Sequence, residues 1–332
     1  MTRPDFVCPQ CHGVLEVRPH AHHCAACNRS YPVVLGIADF RLYPDPYISF
    51  DDEYRKAERL AEAAKDRSFE ELLRFYWEIT PDVPRDAAAR YVRYATQGKE
   101  RGDACFEAMD ARLQRRWQGE ALLEVGCGTG GLLVPSAARF TNVVGSDIAF
   151  RWLVIARKQL EEAGSDALLV CCAAERLPFT NARFDAFVGL HVLEHSQDPA
   201  AVIADSARVL KSGGHCLFPT PNRYSLGPEP CVRVWGVGFL PRRFMGRYVQ
   251  WVKGVPYRHI RLLSWFELRR YLRAAGFARW RIDPHRFAEC ELRAASPRLR
   301  WLARLYHALL AIPGVPQLMR LLGPMHQITA SK

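Results

Sequence analysis

The sequence predicts an α/β fold built on a mostly parallel, Rossmann-like sheet, and three observations support this prediction. Strand and helix patterns alternate between residues 121 and 221 at the spacing of βα units. An apolar run at 121–125 leads directly into a glycine-rich turn and then into a second apolar run. The 332 residues are 49% hydrophobic, which is enough for one large domain with appendages or for two small domains.

Seven strands are expected in residues 119–332, which we interpret as the main domain. The first five are predicted at 121–125, 142–146, 167–172, 184–190 and 215–218. An amphipathic helix at 263–275 and a sixth strand at 278–282 follow, and the segment 324–330 closes the sheet. Ligands of such folds bind at the carboxyl ends of the parallel strands, so the loops after the strands carry the candidate site.

The glycine-rich turn holds Gly126, Gly128 and Gly130 between the first strand and the next helix. Such a turn brings bare backbone close to a ligand. Asp147 stands at the tip of the second strand, where a carboxylate can accept hydrogen bonds from both ribose hydroxyls of a nucleoside. Glu124 lies inside the first strand, where an isolated carboxylate is costly.

The pattern Glu-x-Gly-x-Gly-x-Gly at 124–130, followed by Asp147, resembles the cofactor loop of class I S-adenosylmethionine-dependent methyltransferases. The segment Ala-Ala-Glu-Arg-Leu-Pro-Phe at 173–179 is similar to the adenine-flanking segment of that family, with Ala173 in place of the usual Asp. The order of the motifs resembles the ubiquinone- and menaquinone-biosynthesis-like group. The resemblance implies S-adenosylmethionine as cofactor and a seven-stranded sheet whose last strand is antiparallel. The cofactor-binding residues that it implies are Glu124, Gly126, Cys127, Gly128, Gly130, Asp147, Ile148, Ala174, Glu175 and Leu190.

The segment after the fourth strand, His191-Val192-Leu193-Glu194-His195, holds the candidate catalytic residues His191, Glu194 and His195. Methyl transfer to a hydroxyl benefits from a nearby base or metal ion, and an imidazole suits the first task. One hypothesis makes His191 or His195 a general base. A second places a divalent cation between His191, Glu194 and His195, because the matching segment of ubiquinone-pathway O-methyltransferases binds one. In a third, Leu-Glu-His is only structural.

Residues 1–45 are predicted to form a separate zinc ribbon. Two Cys-x-x-Cys knuckles, Cys8 with Cys11 and Cys24 with Cys27, can converge tetrahedrally on Zn²⁺. Metal binding then supplies folding energy that so short a segment lacks, and the four thiolates leave no open position for catalysis. The segment resembles zinc ribbons of bacterial rRNA guanine methyltransferases and small methyltransferase activators. It is expected either to bind substrate or to pack against the main domain.

Residues 46–118 are predicted to form a helical linker or cap. Apolar side chains recur there at intervals of three and four, and Pro81 and Pro84 divide the segment. Four aromatic residues are expected to pack between helices, with the alternative that they line the cofactor pocket: Tyr76, Trp77, Tyr91 and Tyr94.

Two insertions are expected in the main domain. Residues 222–263, rich in aromatic and basic side chains, are interpreted as a lid over the acceptor. Residues 285–322 are interpreted as a helical insertion, whose Trp301, Leu302, Leu305, Leu309 and Leu310 lie at helical spacing. Core packing is the expectation for these side chains, and an interfacial helix on an anionic membrane is the alternative.

The net charge of +11 is concentrated at the end of the chain. Residues 223–332 contain 20 Lys and Arg against 5 Asp and Glu, which leaves 26 against 30 in residues 1–222. This excess indicates either a solvated arginine-rich surface or a surface for an anionic acceptor, an anionic lipid or a nucleic acid. Eleven cysteines and no apolar leader predict a reducing, cytoplasmic location.

The sequence therefore predicts an S-adenosylmethionine-dependent methyltransferase that acts on a small-molecule or carrier-linked acceptor, most plausibly at oxygen and in a biosynthetic pathway. Three alternatives stay open at this point. They are an rRNA or tRNA methyltransferase, a non-catalytic partner with this fold, and an enzyme that transfers the aminocarboxypropyl group of the same cofactor. The sequence makes no prediction of the oligomeric state.

Overall fold

The computed structural model describes residues 6–81, 83 and 85–332. Residues 1–5 of the predicted zinc ribbon, and Pro84 of the helical segment, lie outside the described residues. The chain divides into two compact units, Met1–Ala186 and Phe187–Lys332.

The first unit begins with four short strands: β1 (Glu16–Arg18), β2 (Ala21–Cys24), β3 (Arg29–Val34) and β4 (Ile37–Asp39). Each pairs antiparallel with the next, as expected for a ribbon built on tight turns. Phe40 follows β4 and its ring lies between those of Phe6, His22 and Tyr31, at centroid distances of 4.9, 5.3 and 5.4 Å. An aromatic cluster thus packs beneath the cysteine knuckles.

Four helices follow: α1 (Phe50–Ala63), α2 (Phe69–Glu78), α3 (Arg85–Thr96) and α4 (Gly98–Leu113). Ser49 caps α1, and Ser68 with Glu71 forms a capping box at the start of α2. Tyr76 is buried against the ring of Trp152, and Trp77 stacks on Tyr91 at 5.0 Å. Helix packing of Tyr76 and Trp77 is thereby confirmed.

The parallel core of the first unit comprises β5 (Gly119–Val125), α5 (Leu133–Ser136), β6 (Phe140–Asp147), α6 (Phe150–Glu162) and β7 (Leu168–Cys171). β6 lies between β5 and β7 and is parallel to both. Leu122 and Leu123 point to opposite faces of the sheet and both are fully buried, which is typical of a parallel strand covered on both sides. β8 (Phe184–Val188) then carries the chain into the second unit.

The ribbon joins this sheet directly. β4 pairs in parallel with β7, with Asp39 opposite Cys171, and the amide of Phe40 continues the ladder by donating to the Cys171 carbonyl. The amide of Val7 donates to the carbonyl of Pro178 at 3.0 Å. Of the two expected roles, packing against the main fold is the one that these contacts support.

The second unit contains the remaining elements: α7 (Pro199–Val209), β9 (Leu210–Pro221), α8 (Arg242–Lys253), α9 (Trp265–Ala274), β10 (Arg279–Pro284), α10 (Glu289–Ala294), α11 (Pro297–Leu309), α12 (Val315–Leu322) and β11 (Met325–Ser331). β11 lies between β9 and β10 and is antiparallel to both. The expected antiparallel closing strand is confirmed. Asp198 and Ser264 cap α7 and α9 through their side chains.

The expected core packing of the helical insertion is wrong for four of its five residues. Trp301, Leu302, Leu305 and Leu309 are 63, 50, 43 and 39% exposed, and only Leu310 is buried. Helical spacing identifies one apolar face of a helix but does not show whether another element covers it. None of the helices in the described parts of the chain is long and apolar enough to cross a membrane.

Candidate functional site

The turn after β5 has the backbone conformation that its glycines allow. The φ angles of Gly126, Gly128 and Gly130 are 67, 51 and 85°, in the left-handed region that other residues seldom adopt. A Cβ atom built on Gly128 would meet no heavy atom within 4 Å. The backbone at Gly128 is therefore open to a ligand.

Asp147 ties this turn to the end of β6. Its Oδ2 accepts a hydrogen bond from the amide of Gly128 at 2.8 Å, and its Oδ1 accepts one from the amide of Ala149 at 2.8 Å. Burial raises the pKa of Asp147 to about 6, although the two amide hydrogen bonds and the charge of Arg151 oppose the increase. The carboxylate thus sits at the strand tip, as the sequence predicts.

Glu124 is 3% exposed, and its Oε2 has no hydrogen-bond partner among the residues that the structure describes. Burial and the nearby charge of Asp147 raise the pKa of this carboxyl well above its usual value. An isolated buried carboxylate is unfavourable, whereas a cationic ligand group would compensate its charge. This unpartnered oxygen beside an open glycine turn fits a cationic ligand group such as the amino group of S-adenosylmethionine.

The N-terminal segment contacts two of the predicted cofactor residues. The Tyr43 hydroxyl donates to Oε2 of Glu175 at 3.0 Å, and the Arg41 guanidinium donates to the carbonyl of Ile148 at 3.1 Å. Neither Arg41 nor Tyr43 was predicted from the sequence, because each lies more than a hundred positions away from its partner. The sequence around Arg41 and Tyr43 contains no motif that would predict these two hydrogen bonds.

Arg41 belongs to a buried ionic cluster at the same place. Its guanidinium forms a bidentate pair with Asp39 and a second pair with Glu53, and the side chains of Arg41 and Glu53 are fully buried. Glu53 also pairs with Arg151 at 2.7 Å, and Arg151 pairs with Asp45 at 2.9 Å. The cluster links the segment after the ribbon to α1 and to the first turn of α6, directly behind Asp147.

The predicted cofactor residues from Glu124 to Glu175 all belong to the first unit. Leu190 belongs to the second, where it directly precedes His191. Cys127 is 6% exposed, and burial raises the pKa of its thiol well above the usual value, so it is a neutral part of the turn.

The second unit brings His191, Glu194 and Thr220 together. His191 Nδ1 lies 3.2 Å from Oε1 of Glu194, and the Thr220 hydroxyl donates to Oε2 at 2.9 Å. Burial opposes ionisation of Glu194, but the hydrogen bond from His191 and the charges of both histidines hold the pKa of Glu194 below its usual value. An ionised carboxylate only accepts hydrogen bonds, so His191 must carry its proton on Nδ1.

The backbone at His191 has a φ angle of 57°, which is uncommon for a residue other than glycine. Such conformations persist where the surroundings fix them and they concentrate at functional sites. Here the His191 amide donates to the carbonyl of Pro219 in β9 at 3.2 Å. Thr220, which sequence analysis did not identify, is the next residue along that strand.

Among the described residues, the ligand atoms of His191, Glu194 and His195 do not lie close enough to share one cation. His195 is exposed, whereas Glu194 is turned inward to His191 and Thr220. Within residues 6–81, 83 and 85–332, the four cysteines of the ribbon are the one group of three or more ligating side chains close enough to share an ion. A shared ion would need His195 and Glu194 to turn toward the same point.

The insertion 222–263 contains a buried carboxyl, that of Glu229, which was not predicted from the sequence. Glu229 is 4% exposed, accepts from the amide of Val232 at 2.7 Å, and leaves its Oε1 without a partner in the described part of the chain. Burial raises its pKa, and the hydrogen bond from the Val232 amide opposes the increase. The amide of Arg261 donates to the Glu194 carbonyl at 2.7 Å, which ties the insertion to the His191 segment.

The cysteine knuckles converge as predicted. The sulfur atoms of Cys8, Cys11, Cys24 and Cys27 all lie within 4.8 Å of one another, and all four cysteines are free of disulfides. The Tyr31 hydroxyl contacts the sulfur of Cys8 at 3.1 Å. Four thiols at this separation fit the donor set of a closed tetrahedral zinc site.

The glycine turn, held by Asp147 on the neighbouring parallel strand, resembles the cofactor loop of class I S-adenosylmethionine-dependent methyltransferases. Residues 123–218 match the family model described as a methyltransferase domain. The chain therefore contains a class I methyltransferase domain.

Two curated relatives bear the name ubiquinone biosynthesis O-methyltransferase. The protein of Idiomarina loihiensis is 34% identical over 159 residues, which are 48% of this chain and 61% of the relative. That of Cereibacter sphaeroides is 37% identical over 107 residues, which are 32% of this chain and 43% of the relative. The chain thus spans about half the length of these relatives. A solved structure of Haemonchus contortus phosphoethanolamine N-methyltransferase 2 with S-adenosyl-L-methionine is similar at 19% identity and a TM-score of 0.48, over 69% of this chain and 52% of that one.

Proposed function

We propose that the protein is an S-adenosylmethionine-dependent methyltransferase that methylates a hydroxyl of a small-molecule or carrier-linked acceptor in a biosynthetic pathway. The observation that carries the choice of oxygen is the His191 imidazole, oriented by the buried carboxylate of Glu194. The curated relatives, which are named as O-methyltransferases of ubiquinone biosynthesis, support the same choice. A cytoplasmic location is part of this proposal.

Under this proposal, the predicted cofactor residues of the first unit would hold S-adenosylmethionine. When bound, S-adenosylmethionine supplies an electrophilic methyl group. Asp147 would accept hydrogen bonds from the ribose hydroxyls, and Glu124 would neutralise the amino group of the methionine end. Ala174 and Glu175 would border the adenine. The Tyr43 hydroxyl, 3.0 Å from Glu175, orients that carboxylate.

His191 acts on the acceptor. Because Nδ1 donates to Glu194, the lone pair of a neutral His191 lies on Nε2, and this nitrogen would take the proton of the acceptor hydroxyl. Thr220 holds the second oxygen of Glu194 and so keeps the carboxylate in position. Glu229 and the aromatic side chains of the insertion 222–263 form part of the acceptor site.

The proposal is tested by calorimetric titration with S-adenosylmethionine, followed by turnover with two probe acceptors, a prenylated catechol and total cellular RNA. Binding of the cofactor and O-methylation of the catechol, detected by mass spectrometry, are expected. Methylation of RNA alone, with binding that falls steeply with salt, would instead establish the RNA methyltransferase, which the basic residues of the C-terminal third favour. Failure to bind the cofactor would overturn both.

Substituting Asp147 with Asn is expected to weaken S-adenosylmethionine binding about a hundredfold, because two charge-assisted hydrogen bonds at ~1.5–3 kcal/mol each are lost or weakened. Affinity of the unaltered protein should fall as the pH drops below about 6, where the Asp147 carboxyl takes up a proton. In the Asn variant this pH dependence should disappear. Both effects are measured by titration calorimetry over a pH series.

The raised pKa of Asp147 also makes the free energy of unfolding of the cofactor-free protein depend on pH. The native state holds the Asp147 proton more tightly than the unfolded chain does, so this carboxyl stabilises the cofactor-free protein at low pH and loses that contribution as the pH rises through about 6.

The matched control for the effect of Asp147→Asn on cofactor affinity is Asp166→Asn, which alters an exposed carboxylate before β7. An equal loss of affinity in this control would contradict the assignment of Asp147.

We further propose that Cys8, Cys11, Cys24 and Cys27 bind one structural Zn²⁺. Elemental analysis of the purified protein should show one zinc per chain, and Cys27→Ser should remove most of it and lower the midpoint of thermal unfolding. Binding energies of ~10–16 kcal/mol at such sites are largely folding energy, so the effect on stability is large. Cys231→Ser, at an exposed cysteine outside the ribbon, should leave the zinc content unchanged. Stoichiometric zinc in the Cys27 variant would refute the site.

A further inference from the structure

Helix α11 presents an apolar face to the outside of the second unit. This outer face comprises Trp301, Leu302, Leu305, Leu309 and, just beyond the helix, Ile312, which are between 39 and 63% exposed. At 100° per residue, these five positions fall within one stripe of the helix. Leu318 and Leu321 of α12 are also exposed, at 50 and 36%.

The opposite side of α11 is the one that packs. The rings of Tyr306 and His307 lie 6.1 and 6.2 Å from that of Phe287, and His307 Nε2 accepts a hydrogen bond from the Phe287 amide at 3.1 Å. Leu310 on the same side is buried. The helix is therefore fixed by an inner face, and the exposure of its outer face is a property of the folded unit.

The charged residues of the segment that carries the outer face all have one sign. Residues 292–332 contain five Arg and one Lys and no Asp or Glu. Arg298 and Arg304 are both exposed: Arg304 lies beside the apolar stripe, and Arg298 lies at its N-terminal end. Arg300 and Arg320 instead face inward, where they donate to the Leu292 carbonyl and to Asp283. An apolar stripe with exposed arginines is complementary to a partner that has an apolar interior and an anionic boundary.

The combination of apolar side chains and arginines indicates which kind of partner can bind the outer face. A nucleic acid would use the arginines but would leave Trp301 and the leucines without apolar contact. A second copy docked through the same face would bury Arg298, which lies in the apolar stripe, against a segment that has no carboxylate to pair with it. A bilayer with anionic head groups satisfies both properties, since apolar side chains enter the acyl boundary while arginine guanidinium groups remain at the phosphates.

We propose that the outer face of α11 docks the protein on anionic phospholipid membranes, with the helix lying in the plane of the interface. The proposal is independent of methyl transfer, because it uses none of the residues assigned to the cofactor or to the acceptor.

The test uses the full chain and sedimentation with vesicles of phosphatidylcholine, either alone or mixed with phosphatidylglycerol. Binding is expected to the mixed vesicles and to weaken with salt, because the arginine contribution is screened. The double variant Trp301→Glu/Leu305→Glu should lose at least about tenfold in vesicle affinity, since two carboxylates would enter the apolar boundary. Both positions are exposed, so the variant is expected to fold, which circular dichroism and cofactor binding check.

Phe266→Glu is the matched control, because Phe266 is an exposed aromatic residue of α9 at 61%, close to the 63% of Trp301. It should bind vesicles like the unaltered protein. Equal sedimentation with both vesicle types, or an equal loss in the Phe266 variant, would overturn the proposal. Conversion of a dimer to a monomer by the double variant without any vesicle binding would identify a second copy as the occupant, and loss of RNA binding alone would identify RNA.

Discussion

Replacing His191 with Asn is expected to lower kcat by about 10²–10⁴-fold while leaving the dissociation constant of S-adenosylmethionine unchanged, because general-base catalysis contributes about that factor. Asn keeps hydrogen bonding toward Glu194 but cannot take up the proton of an acceptor hydroxyl. The measurement is single-turnover methylation of the acceptor at saturating cofactor, with calorimetric titration of the cofactor on the same variant.

Two further variants separate catalysis from structure. His195→Asn alters an exposed imidazole of the same segment and should change kcat less than His191→Asn. Thr220→Val removes the hydroxyl that donates to Glu194 at 2.9 Å and should lower kcat with little effect on cofactor affinity. If His191→Asn retained full activity, the base would have to be assigned elsewhere; if His195→Asn carried the whole loss, it would be assigned to His195.

Strands and the cofactor turn were predictable from the sequence because their determinants are local. The buried run at 121–125 appears as β5 (Gly119–Val125), and the predicted strand at 278–282 appears as β10 (Arg279–Pro284). Positive φ angles at Gly126, Gly128 and Gly130 follow from the absence of a Cβ atom. The two Cys-x-x-Cys knuckles likewise fix their own turn geometry, and their spacing predicted the convergence of four sulfurs.

Contacts between distant segments were not predictable in the same way. Arg41 reaches the carbonyl of Ile148, and Tyr43 reaches Glu175, only because β4 is placed beside β7. Nothing in the local sequence specifies that pairing. For α11, the helical spacing of the apolar side chains was evident in the sequence. The sequence did not show that the outer face they form would stay exposed. Periodicity thus reports which side of a helix is apolar and leaves its environment undetermined.

Arg41→Leu is expected to lower the free energy of unfolding by about 3–5 kcal/mol, because it leaves the buried carboxylates of Asp39 and Glu53 without their shared cation. Removing one partner of a buried ion pair costs far more than the pair itself contributes, since the remaining charge stays desolvated. The measurement is denaturant-induced unfolding of the zinc-loaded protein. The control is Arg55→Leu, which breaks an exposed pair with Asp52 and should cost about 0–1 kcal/mol.

The same substitution should also weaken S-adenosylmethionine binding in protein that remains folded, because Arg41 holds the carbonyl of Ile148, the residue after Asp147. Arg151, the second cation of the cluster, favours ionisation of Asp147 and depends on Glu53 for its position. Loss of Arg41 therefore disturbs both the backbone and the charge at the strand tip. A destabilised variant with unaltered cofactor affinity would show that the cluster only supports the fold. A joint loss would make the segment after the ribbon a positioning element of the cofactor site.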